Sequence, residues 1–351
     1  MEYKPDLDTV LKRYQAFWNM DIYDRPPIRI RYPIAGQSDE AWSEAMQTPE
    51  SYFAYHETVL HHRIDLGDDA LPTATIDMAP GLWGGILGCE VMFGHGTSWS
   101  THCLKDWSQI DRFLAVPLDD NNPWVNRVLD MIDYFIEKSA GKCMVGLPLP
   151  MGPGDMATAL RGPTEICGDF FEAAEQLDTL LTACTQTWID FFQLMFDRIP
   201  ACQGGYCDDY DIWTPGRSSY FANDIATLIS PATYRQHFFK YDCQVAASSE
   251  TPWMHIHSEE ARLIPEFIKI PKLRAIQVVS DYPAGPDLRE ILPLLKLVQE
   301  NHGLILRKYP MAEIEEILPE LSGRKLVVDT QCGSKKEARD LLAKWTQRDW
   351  V

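Results

Sequence analysis

Residues 273–310, LRAIQVVSDYPAGPDLREILPLLKLVQENHGLILRKYP, read as a strand, a helix and a second strand. The two ends, 273–283 and 303–310, are short runs rich in β-branched and aliphatic residues. Between them Leu288, Ile291, Leu292, Leu295 and Val298 recur at helical spacing, and Gly303 follows the stop. Two strands joined through a helix must run parallel, because the chain has to return to the same end of the sheet. The same alternation extends outward to runs at 26–33, 68–76, 141–150, 201–209, 251–258 and 324–333, which makes eight strand candidates. Helical patterns separate them. The pattern at 171–199 is long and strongly apolar. That at 230–250 opens with Ser230 as N-cap and Pro231 at the first helical position, and that at 311–323 has Gly323 in a C-terminal capping position.

Eight such units predict a single α/β domain over residues 1–351, a (β/α)8 TIM barrel. The block 79–116 does not fit the period and reads as an insertion after strand two, near the barrel mouth. The block 210–229 reads as a second long loop, after strand four.

Composition bounds the function. Of 351 residues, 45% are hydrophobic and 24% charged, enough for a large core, and the formal net charge is −19. That charge repels phosphate backbones, so no nucleic-acid partner is expected. The N-terminal residues lack a basic start and apolar core, and no apolar run is long enough to span a bilayer. The expectation is a cytoplasmic protein without a membrane partner. Nine cysteines, an odd number, read as reduced thiols of which one or two serve as ligands.

In a (β/α)8 barrel the active site lies at the C-terminal ends of the strands. Those ends collect Arg29, Arg31 and Tyr32; Tyr206, Cys207, Asp208 and Asp209; His255 and His257; Asp281 and Tyr282; Lys308 and Tyr309; and Asp329, Gln331 and Cys332. His255 and His257 share one face of their strand, while Met254 and Ile256 take the other. The two imidazoles are either a satisfied polar layer of the barrel or half of a zinc site. A catalytic zinc takes three protein ligands and an open position, and Cys332 is the candidate third ligand. Strands five and eight are not neighbours, so its thiol would have to reach across the mouth. Asp208, Asp209 and Asp281 are candidates for a fourth ligand or a general acid and base, with a solvated loop as the bland alternative for the first two. Arg31, Tyr206, Tyr282 and Lys308 are candidates for holding substrate, with Arg307 beside Lys308 able to meet a carboxylate.

The stretches GPGDMATALRGPTEICGDFFEAAEQLDTLL (152–181) and CDDYDIWTPGRSSYFANDIATLISPATYRQHFFKY (207–241) resemble the uroporphyrinogen decarboxylase superfamily, and the resemblance runs from about residue 140 to 345. It implies the same barrel. One branch of that superfamily comprises metal-free decarboxylases with an Arg-rich N-terminal motif and an aspartate after the second strand. The segments IRIRYPIAGQS (28–38) and LPTATIDMAPG (71–81) lack both, with Asp77 the nearest substitute. The chain is more similar to the corrinoid-linked, methylcobamide:coenzyme M-type methyltransferases. These bind zinc through His-x-Cys on a strand and a distant cysteine, at positions matching His255, His257 and Cys332. Histidine here replaces the first cysteine, giving a harder site. The resemblance implies a Zn2+-dependent methyltransferase that works with a corrinoid on a partner protein and takes methyl from, or gives it to, a small molecule. The alternatives are a metal-free decarboxylase-like lyase and a non-enzymatic barrel that binds a corrinoid or tetrapyrrole.

Overall fold

The structure is a computed structural model, and it describes residues 1–350 except 95, 219 and 282. The chain folds as a mixed α/β protein. Its strands are β1 (Ile28–Arg31), β2 (Thr73–Thr75), β3 (Val91–Gly94), β4 (Thr97–Ser100), β5 (Met144–Gly146), β6 (Gly205–Cys207), β7 (Trp213–Pro215), β8 (Tyr220–Phe221), β9 (Trp253–His257), β10 (Ala275–Val279), β11 (Gly303–Pro310) and β12 (Leu326–Gln331). Each of the eight runs picked out in the sequence contains one of them.

Six strands form one sheet in the order β1-β12-β11-β10-β9-β8, with every pair parallel. Four form another, β2-β5-β6-β7, in which only β6 and β7 are antiparallel. No ladder joins β1 to β2; instead the carboxylates of Asp68 and Asp69, just before β2, accept from the backbone N–H of Ile30 (2.9 Å) and Ile28 (2.8 Å). Helices connect the parallel strands, as at Leu288–Asn301 between β10 and β11. There Asp287 caps the first turn by accepting from Glu290 N, and all five residues of the apolar stripe are buried. Each such side chain contributes roughly 1.5–3 kcal/mol on burial, before the entropy of ordering it.

Strand alternation splits the core into two layers. Ile28, Ile30, Met254, Ile256, Ile276, Val278, Leu304, Leu306, Leu326 and Val328 pack in one large cluster with the helices. Residues of opposite parity, Trp253, Ala275, Ile305 and Val327 with Met144 and Cys207, pack in a second cluster with the helix Leu7–Trp18. That helix covers the strand starts, and Trp18 Nε1 donates to the Trp213 carbonyl at 2.7 Å. Further along the same inner face the side chains become polar, and the site begins there.

Three sequence expectations change. Within 79–116 the chain forms the β3–β4 hairpin, and Cys89 and Cys103 are joined by a disulfide rather than both reduced. The helical runs at 171–199 and 230–250 are parts of broken helices: Pro163–Glu172 then Ala174–Arg198, and Pro231–His237 then Phe239–Ser248. Gly323 does not cap a helix, since the α-helix Met311–Ile317 ends before Pro319. A Cβ at Gly323 would lie 2.3 Å from the Trp350 carbonyl oxygen, so the position serves close packing. No described helix is long and apolar enough to cross a membrane.

Candidate functional site

The inner face of β9 carries Trp253, His255 and His257 in succession. Trp253 belongs to the core, and the two histidines stand beyond it on the wall of a cavity of ≈ 280 Å3. Other walls come from Asp77, Asp209, Tyr210, Tyr220, Asp224 and Arg307. The approach to β8 depends on Gly152, where a Cβ would lie 1.7 Å from the Ala222 carbonyl oxygen. Only glycine lets the two backbones come that close.

Each imidazole is oriented by a neighbour on β10 or just after it. His255 Nδ1 lies 2.6 Å from Gln277 Oε1, and His257 Nδ1 lies 2.5 Å from Asp281 Oδ1. Asp281 is itself held, because its Oδ2 accepts from Ser258 Oγ at 2.9 Å. With Nδ1 protonated toward these oxygens, both Nε2 atoms present lone pairs. A second partner that fixes ring and tautomer in this way is the usual support of a metal-ligating histidine. Burial, and then the neighbouring His257, hold the His255 pKa well below the ordinary imidazole value, so the ring is neutral and able to ligate.

The third member is Asp224, which opens the 3-10 turn Asp224–Leu228 after β8. Ligand atoms of Asp224, His255 and His257 all lie within 4.8 Å of one another, the only such group among the described residues. Asp224 Oδ1 is buried, makes no hydrogen bond and lies 3.9 Å from His257 Nε2. Acidic groups crowd this wall. Burial, and then Asp224, raise the pKa of Asp155, and the same two causes raise that of Glu260, whose Oε2 accepts from His257 N at 2.6 Å. A divalent cation would offset that excess of carboxylates. An orphaned carboxylate oxygen beside two pre-oriented imidazoles therefore fits a metal of the zinc class.

Cys332 does not join this group. Its Sγ donates to the carbonyls of Ser334 (3.3 Å) and Arg31 (3.6 Å), and it lines a separate cavity with Arg31, Tyr32, Gln331 and Glu337. Parity is the cause. On β12 the odd positions Val327 and Asp329 face inward, so Cys332 packs against the outer, helix-side cluster. Tyr206 is turned away for the same reason, and its hydroxyl donates to the Phe196 carbonyl at 3.2 Å.

Of the other candidates, Asp208 is buried and does not line the cavity. Its Oδ1 accepts from the backbone N–H of Tyr210 (2.8 Å) and Ile212 (3.1 Å), and burial pushes its pKa up to about 7. Asp209 does line the cavity, accepting from Tyr220 Oη at 2.8 Å; burial, then Asp77, raises its pKa well above the carboxylate range. Asp281 orients His257 rather than standing free. Arg31 faces inward but is tied to Asp329 at 3.0 Å. Lys308 lines the cavity beside Arg307. Tyr282 lies outside the described residues. Sequence reasoning missed Asp224 and Gln277, since nothing in FANDIA or AIQVV marks a ligand or its support.

No protein-family model matches the chain, and no curated protein does. In structure it is similar to a methyltransferase from Methanosarcina mazei, at 15% sequence identity and a TM-score of 0.68, with 96% of this chain and 98% of that chain covered. At that identity the likeness speaks for the fold alone.

Proposed function

We propose that the chain is a zinc-dependent methyltransferase on a (β/α)8 barrel, exchanging a methyl group between a small molecule and a corrinoid carried by a partner protein. The observation that carries the metal reading is the convergence of Asp224, His255 and His257 on one cavity wall. The sequence resemblance to corrinoid-linked methyltransferases, and the likeness in fold to a protein named as a methyltransferase, support the choice of reaction.

In this reading His255, His257 and Asp224 hold the metal and leave a position open toward the cavity. Bound zinc supplies a Lewis acid that lowers the pKa of a thiol or hydroxyl group of the substrate. The chain's own residues do the rest. Gln277 and Asp281 keep both imidazoles in the ligating tautomer. Asp209, its pKa raised by burial and its carboxyl bonded to Tyr220, would take up or give a proton inside the cavity. Pro80, Leu149, Met151 and Val279 supply apolar wall that excludes water.

Elemental analysis of the purified protein tests this. The expected result is about one zinc per chain, as for a single three-ligand site, lost in His257→Ala and Asp224→Asn and retained in Cys332→Ala. A second reading, a metal-free lyase, is favoured by Arg307 and Lys308 standing in the same cavity, where they could hold a substrate acid. It leads if the wild-type protein takes up no metal when zinc is offered under reducing conditions.

A further inference from the structure

We infer that the substrate carries a carboxylate, which Arg307 and Lys308 hold in the cavity that Asp224, His255 and His257 also line. The inference deepens the proposed function by naming a substrate class for the same cavity.

Regular alternation would put Arg307 inside and Lys308 outside. Instead β11 shifts register between Leu306 and Tyr309, and Lys308 adopts φ +58°, a left-handed conformation uncommon for lysine. Such irregularities re-aim side chains. Here two consecutive cations line one cavity.

Among the described residues no hydrogen bond or ion pair is made by the side chain of Arg307 or of Lys308. Arg307 is 7% exposed, its Nη1 is buried without an acceptor, and its guanidinium carbon lies 3.4 Å from the centre of the Tyr210 ring. The carboxylates nearby are engaged elsewhere. Asp329 serves Arg29 and Arg31, Asp209 accepts from Tyr220, and Asp77 accepts from Ala79 N at 2.8 Å. A buried guanidinium with an unpaired Nη1 beside a second cation is costly unless an anion joins them. Tyr210 fixes the plane of the guanidinium, and a planar fork matches a carboxylate.

The test titrates metal-free wild-type protein with butyrate and with its uncharged isostere butyramide, read by saturation-transfer NMR and thermal shift. The expected result is a preference for butyrate of about tenfold, as for charge-assisted hydrogen bonds, lost in both Arg307→Met and Lys308→Met. If Arg307→Met fails to fold, Lys308→Met at its exposed position decides. Butyrate binding no better than butyramide, or the preference surviving in Lys308→Met, overturns the inference, as does tighter binding of inorganic phosphate. His257→Ala should lose metal and keep the butyrate preference, so failure of the metal reading and failure of this one are told apart.

Discussion

Two pairs of basic residues sit on nearby strands with opposite fates. Arg29 and Arg31 on β1 close on Asp329 (3.2 and 3.0 Å), and Arg29 also reaches Asp211 at 2.8 Å. Arg307 and Lys308 on β11 close on nothing described. The first pair is structural: Asp329 is fully buried, and the two arginines, chiefly Arg31, hold its pKa down to about 2 against the cost of burial. The second pair lines a cavity, with Arg307 stacked on Tyr210 and neither side chain making a described hydrogen bond or ion pair. A buried cation with an internal partner belongs to the fold, and one without belongs to a ligand.

The largest expected effect comes from breaking the answered pair. Asp329→Asn leaves two inward arginines without their shared carboxylate and should cost about 3–5 kcal/mol, the usual penalty for a buried charge that loses its partner; denaturant unfolding reads it. The wild type should show the same dependence in acid. Asp329 has a folded pKa below its ordinary 3.8, so its contribution is complete above that value and is lost as pH falls through about 2. Acid unfolding of the wild type beside Asp329→Asn checks the sign.

Next is the metal wall, where Asp281 answers His257. Asp281→Asn keeps the shape and weakens the acceptor, and zinc affinity should fall about 10- to 100-fold, as for other partners of ligating histidines; competition with a chromogenic chelator measures it. The unanswered pair should behave differently. Arg307→Met should change stability by less than about 1 kcal/mol or raise it, since it removes a buried charge with no described hydrogen bond or ion pair; a loss near that of Asp329→Asn would erase the contrast. Butyrate affinity should decline as pH rises through about 8. Although the residue keeps exposed surface, desolvation of its ammonium by the cavity wall, and then the like charge of Arg307, hold Lys308 at that pKa, with Arg31, Asp77 and Asp329 also facing it; Lys308→Met should remove the break. The smallest effect is expected from Cys332→Ser, within about 0.5 kcal/mol for a site of this kind, with metal content unchanged.

Much of this was legible in the sequence, because strand position and parity are written in alternation. The eight strand runs and the shared face of His255 and His257 follow from reading residues two apart. Cys332 was placed by its proximity to a strand end, and the register of β12 turns it outward. Asp224 was not legible. It reaches the histidines only because a long loop returns along β9 through β8, and no local pattern in 210–229 encodes that return. The irregularity that admits both Arg307 and Lys308 was equally hidden, since LILRKYP contains no glycine to announce it.

The helix Leu7–Trp18 would give the proposed reaction a direction of traffic. It stoppers the inner face at the strand starts with Leu11, Tyr14 and Phe17. Every reactant must then arrive and depart at the opposite end, where the cavity lies. In the proposed reaction a small acid and a macromolecular carrier of the methyl group would share that one doorway and so would take turns. Saturating amounts of either should slow the entry of the other, and turnover should pass through a maximum as either concentration is raised.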